Sequence, residues 1–132
     1  MIRAVLYTDG GARGNPGPSG IGAFLIVGEK EYSYKEYIGV ATSNQAEYKA
    51  LILGMKKALE HGVQNLTVYM DSELIVNQLN EKYKVKDQKL AKLFVIVWNL
   101  KLRFKQISFT HIPRSQNKKA DFLVNQAIDQ NV

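Results

Sequence analysis

Polar and apolar positions along the chain follow two periods, and the changes between them outline the fold. Ile2 to Thr8 is apolar on both alternating faces, as in a strand buried on both sides. Ile21 to Val27 is a second strand, and Gly28-Glu29-Lys30 makes a turn. In Glu31 to Val40, Tyr32, Tyr34, Ile38 and Val40 share one face, so the three runs predict an antiparallel meander. The period then becomes helical. Glu47, Leu51, Gly54 and Ala58 form a stripe within Ala46 to His61, behind the cap-competent Thr42-Ser43-Asn44 and ahead of the stop at Gly62. Leu66 to Met70 predicts a short strand ending in Asp71, and Ser72 opens a helix to about Leu79. Leu90 to Phe104 is helical on Leu90, Leu93, Phe94, Val97 and Trp98, which makes Trp98 a packing residue. Gln106 to Ile112 is the last strand. Pro113 breaks it, Ser115 or Asn117 caps a final helix, and Ala120 to Ile128 closes the chain.

The order is βββαβααβα, with no internal repeat and no linker to divide it. Helices alternating with the later strands imply right-handed crossovers and a mixed sheet covered on both faces. A chain of 132 residues, 45% hydrophobic, suits one α/β domain spanning 1–132 and is too short for two. The absence of cysteine removes disulfides, thiolate metal sites and cysteine nucleophiles, and it fits a reducing compartment; a cytoplasmic monomer is expected. The N-terminus meets a charge too early for a signal peptide or a membrane span.

Charge adds a partner. The net charge is +6, and Lys82 to Lys105 holds eight basic residues against the single acid Asp87. Such a run serves either as a solvated face or as a surface that tracks phosphates. Against this background the acids stand out. Asp9 ends the first apolar run and opens a stretch with Gly10, Gly11, Gly14, Gly17, Gly20 and Gly22, six of the ten glycines, which reads as a shaped loop around Asn15 and Pro16. Asp71 ends the later strand at the edge where such sheets gather ligands. Glu47 and Asp121 each head the inward stripe of a helix, though Glu47 could instead complete a capping box with Asn44, and Asp121 could simply favour its helix N-terminus. If the four converge, each close pair costs about 4 kcal/mol at about 4 Å and an effective dielectric of about 20. Oxygen donors without His or Cys suit Mg²⁺ or Mn²⁺, and such ions on a basic protein suggest phosphodiester chemistry.

Four motifs, YTDGGARGNPGPSGIG, TSNQAE, VYMDSELIV and HIPRSQNKKADFLVNQA, cover most of the chain and together resemble the type I ribonuclease H family. The resemblance implies the ribonuclease H fold: a five-stranded mixed sheet, three strands antiparallel and the rest parallel, with helices on both faces. It implies hydrolysis of the RNA strand of RNA/DNA hybrids with two divalent ions, leaving 3′-hydroxyl and 5′-phosphate ends. Asp9, Glu47, Asp71 and Asp121 match the family's catalytic, metal-holding acids. Asp9 would bridge both ions, Glu47 and Asp71 complete one site, and Asp121 the other. Gly10, Gly11, Asn15, Asn44 and Gln45 fall at or beside positions that meet the RNA strand, and Thr42 resembles a residue that holds a DNA-strand phosphate. All of these also suit turns or caps.

Two departures qualify the resemblance. The histidine that many members carry in the loop before the last acid corresponds to His111 by distance, but His111 falls at a strand end, so Arg114 is preferred for the mobile role. His61 needs no role beyond its helix C-terminus. No long basic protrusion fits between Asn80 and Lys89, as in the shorter subgroup of archaea and some bacteria. Lysines from Lys82 to Lys92, Lys84 and Lys86 among them, would then contact the DNA strand, with modest affinity expected. The alternatives are a broader nuclease that also cuts double-stranded RNA and a silent hybrid-binding module. A chain starting at Met1 and ending soon after its last helix disfavours a reverse-transcriptase domain.

Overall fold

Leu6, Leu25 and Val68 are fully buried, and they mark the more deeply covered face of a five-stranded sheet. The computed structural model describes residues 1–131. Its strands and helices are β1 (Arg3–Ala12), β2 (Gly17–Val27), β3 (Lys30–Ala41), α1 (Ser43–Glu60), β4 (Asn65–Met70), α2 (Glu73–Leu79), α3 (Gln88–Lys101), β5 (Gln106–His111) and α4 (Lys118–Asp129). A single 3-10 turn, Arg114–Gln116, precedes α4. The strands lie in the order β3-β2-β1-β4-β5. β2 runs antiparallel to β1 and β3, whereas β4 is parallel to β1 and β5 to β4, as the element order predicts.

Helix α1 lies on one face, where Leu51, Met55 and Ala58 join Leu6, Leu25, Val68 and Phe109 in the main core. Helix α4 packs on the opposite face of β2, against backbone rather than side chains. A Cβ on Gly20 would stand 2.7 Å from the Val124 carbonyl oxygen, and one on Gly22 2.7 Å from that of Ala120. Trp98 is partly buried, its ring against Phe94 with the Lys101 ammonium 4.7 Å from its centroid. Among the described residues, no helix is long and apolar enough to cross a membrane.

The stretch after Asp9 differs from the expected loop. β1 continues through Asp9 to Ala12 and β2 begins at Gly17, with Gly10 opposite Ile21 and Gly11 opposite Gly20. Glycine is a poor strand former, but here its missing side chain admits the helices. Gly10 shows this most sharply, since a Cβ there would lie 2.2 Å from the Ala46 carbonyl carbon. Only the segment around Gly14, at φ +89°, turns. Helix starts also moved: α1 begins at Ser43 and α3 at Gln88, each earlier than the apolar stripes suggested, because Thr42 and Asp87 cap them.

Candidate active site

The parallel pair β1 and β4 carries Asp9 inside one strand and Asp71 just beyond the end of the other. Helix α1 delivers Glu47 from one side of the sheet, and α4 delivers Asp121 from the other. Oxygens of Asp9, Glu47 and Asp71 lie within 4.8 Å of one another. Asp121 lines the same cavity, near enough for its charge to act on Asp9. Asp9 is 8% exposed and Glu47 7%, and all four acids line one cavity of about 330 Å³.

Local structure explains how Glu47 comes to be there. The capping box of α1 is made by Thr42 and Gln45, not by Asn44 and Glu47: Thr42 Oγ1 accepts from the Gln45 N–H at 3.1 Å, and Gln45 Oε1 from the Thr42 N–H at 2.9 Å. Glu47 is thereby free of capping, and its Oε1 accepts the Gly10 N–H at 2.9 Å across the sheet–helix interface. That bond depends on the close approach that Gly10 permits.

Crowding and burial change the chemistry of the acids. Burial, then the charges of Asp71 and Asp121, push the Asp9 carboxyl up to about 8, against a smaller opposing pull from the Gly10 N–H. Glu47 is raised well above its usual range by burial and by the charges of Asp9 and Asp71. Among the described residues, no cationic side chain pairs with Asp9, Glu47 or Asp71; the only ion pair at an acid of the group is Arg114 to Asp121, at 3.5 Å. An all-oxygen donor set of Asp9, Glu47 and Asp71, two of them buried, mutually repelling and with no paired cation among the described residues, fits hard divalent ions such as Mg²⁺ or Mn²⁺.

Other expected residues separate into groups. Arg114 lines the acid cavity, whereas His111, the exposed last residue of β5, does not. Gly10 and Gly11 also line it, and the buried Gly10 gives its N–H to Glu47. Asn15, Thr42, Asn44 and Gln45 line a second cavity, about 470 Å³, between the N-termini of α1 and α3, and Lys89 joins them. Asn15 Oδ1 accepts the Ser43 N–H at 3.1 Å, tying the β1–β2 turn to that helix start. Lys84 and Lys86 are exposed between α2 and α3 and line neither cavity.

Two residues beside the acids carried no signal in the sequence. Arg13, in the β1–β2 turn, lines the acid cavity while pairing with Asp129 and reaching Asn125 Oδ1 at 3.4 Å. Asn117, expected as a possible helix cap, makes no side-chain cap bond; its amide donates to the Thr8 carbonyl and to Asp71. Only the fold brings either of them to the acids.

The reverse-transcriptase-like family matches residues 7–127. The bifunctional protein Rv2228c of Mycobacterium tuberculosis is 41% identical over 97% of this chain and 36% of its own length. The ribonuclease HI of Halobacterium salinarum is 38% identical over 96% of this chain and 65% of the relative. The chain thus spans about a third of the mycobacterial relative and just under two thirds of the archaeal one. Among solved structures, the N-terminal ribonuclease H domain of Rv2228c superposes with a TM-score of 0.95 at 40% identity, covering 98% of this chain and 96% of that one. LC11-RNase H1 in complex with an RNA/DNA hybrid gives 0.91 at 42% identity, covering 96% and 97%.

Proposed function

The chain belongs to the ribonuclease H family, and from that premise we propose that it is a divalent-metal-dependent endoribonuclease that hydrolyses the RNA strand of RNA/DNA hybrids. The observation that carries this reading is the cluster of Asp9, Glu47 and Asp71, with no cation paired to it among the described residues, on a chain whose net charge is +6. A module that only bound nucleic acid would gain nothing by turning buried acids toward a polyanion. The relative crystallised on an RNA/DNA hybrid supports the choice of substrate.

Asp9, Glu47 and Asp71 would hold one ion, and Asp9 with Asp121 a second. Such ions, when bound, supply Lewis acidity at the phosphate and make water a better nucleophile. The chain's own groups set the frame. Gly10 fixes one Glu47 oxygen through its N–H and leaves the other for a ligand. Burial of Asp9 and Glu47 keeps bulk water from screening the charges. Arg114, mostly exposed and loosely held by Asp121, is free to follow the product phosphate. Water adds across the P–O3′ bond, its hydroxyl to phosphorus and its other proton to the departing oxygen, which leaves 3′-hydroxyl and 5′-phosphate ends. Asn44 and Lys89, which line the second cavity, would meet the sugar edge and phosphates of a bound strand, where a 2′-hydroxyl distinguishes RNA from DNA. Lys84 and Lys86 would extend this contact in place of a basic protrusion.

Cutting of double-stranded RNA is the second reading, favoured by the short irregular segment between α2 and α3. Incubating labelled hybrid, double-stranded RNA and double-stranded DNA with wild type and Asp71→Asn in Mg²⁺ or Mn²⁺ tests both. The expected result is cleavage of the hybrid's RNA strand by wild type, with Asp71→Asn inactive but still binding. Equal cleavage by the variant would overturn the metal assignment. Binding without cleavage under either ion would favour a silent module.

A further inference from the structure

Asn117 is 1% exposed, and its side chain sits where β1, β4 and the start of α4 meet. Its Nδ2 donates to the Thr8 carbonyl at 2.9 Å and to Asp71 Oδ2 at 3.1 Å. Thr8 directly precedes Asp9. The Asn117 backbone carbonyl accepts the Asp121 N–H at 3.1 Å, the bond that seats Asp121 in the first turn of α4. One residue therefore touches the frame of three of the four acids. The amide orientation follows from chemistry: a flipped side chain would set its oxygen against a carbonyl and a carboxylate, two acceptors. The cost of the observed orientation is visible, since Oδ1 is buried with no partner. A residue kept only to start a helix would turn its side chain to the free N–H groups of that helix, and Asn117 makes no such bond.

We propose that Asn117 is a positioning residue for the metal site, its amide holding one oxygen of Asp71 and the β1 backbone before Asp9 so that the acids are spaced for cations before any arrive. This rests on the functional reading above. Partners that orient metal-ligating carboxylates typically change metal affinity or activity by about 10- to 100-fold when removed.

The test compares wild type, Asn117→Ala and Asn117→Asp, the second nearly isosteric but lacking the donor and adding a like charge. Thermal melts across a Mn²⁺ titration without substrate give the half-saturating metal concentration, and hybrid affinity is measured separately in Ca²⁺. The expected result is a half-saturating concentration raised about 10-fold or more in Asn117→Ala and further in Asn117→Asp, with hybrid affinity changed less than about threefold. Folded variants whose metal response and cleavage stay within about twofold of wild type would overturn the proposal. If neither variant folds, NMR on wild type decides. The Asn117 side-chain amide signals should shift along the metal titration, and signals that stay fixed would overturn it. A wild type with no saturable metal response would remove the functional reading itself, a distinguishable failure.

Discussion

Asp9 carries a large electrostatic cost in the site. Its carboxyl is raised from an ordinary 3.8 to about 8, chiefly by burial and then by Asp71 and Asp121. An acid raised in this way keeps its proton in the fold after the unfolded chain has released it. Without metal, stability should therefore fall as pH climbs from the ordinary value toward the raised one. Asp9→Asn removes the penalty, and in chelator its melting temperature should exceed that of wild type by at least about 4 °C at pH 8 and by less at pH 5. Equal melting curves at both values would contradict the assigned cause. Arg13 makes a second prediction at this scale. Its exposed pair with Asp129 is worth little to stability, but its place in the acid cavity suits a substrate phosphate. Arg13→Ala should lower hybrid affinity and reduce the salt slope by about 1, whereas Asp129→Ala, by freeing Arg13, should raise affinity. Filter binding over a salt series checks both. The four acids were legible in the sequence because each heads a core stripe or ends an apolar run. Arg13 and Asn117 were not, since an Arg in a turn and an Asn before a helix have ordinary local explanations and meet the acids only through long-range packing.

Between elements, the controlling feature is the contact of α1 with the backbone of β1. Gly10→Ala would drive a Cβ into Ala46 backbone at 2.2 Å, so α1 would have to lift and the Gly10–Glu47 bond would break. Overpacking against backbone costs at least about 1–3 kcal/mol, and thermal unfolding should show it together with lost cleavage. Gly28→Ala is the control. Nothing lies within 4 Å of its Cβ position, and only its φ of +62° is strained, so a loss of about 1–2 kcal/mol with activity retained is expected. The same contact explains where reading by propensity stopped short. Glycine-rich segments look like loops, and the strand through Asp9 to Ala12 became visible only with the helices packed on it. Three adjacent cap-competent residues, Thr42, Ser43 and Asn44, left the start of α1 open until the Thr42–Gln45 box settled it. The meander and the order of later elements followed from apolar period alone, but Val40, expected to share a face with Tyr32 and Tyr34, is exposed because the β2–β3 register shifts between Tyr37 and Gly39.

Across the whole molecule, charge is divided by region: buried and half-buried acids gather at one end of the parallel strand pair, and exposed lysines lie on the segment between α2 and α3. A cavity of about 580 Å³ between Arg3 and Ser108 exceeds the acid cavity yet is lined by no acid, so volume alone does not mark the chemistry. If the lysine segment tracks the DNA strand, Lys84→Ala combined with Lys86→Ala should weaken hybrid binding and lower the salt slope by about 2, while single-turnover cleavage at saturation stays near wild type. An unchanged slope would take that segment out of the interface. The chemistry of the product ends separates metal-dependent hydrolysis from the alternatives. An RNA/DNA hybrid labelled on either strand is incubated with wild type in Mg²⁺, with and without chelator, and the ends are identified. The expected result is cleavage of the RNA strand alone, 3′-hydroxyl and 5′-phosphate ends, and loss of all cleavage in chelator and in Asp9→Asn. Cleavage that persists in chelator, or products ending in a 2′,3′-cyclic phosphate, would contradict it.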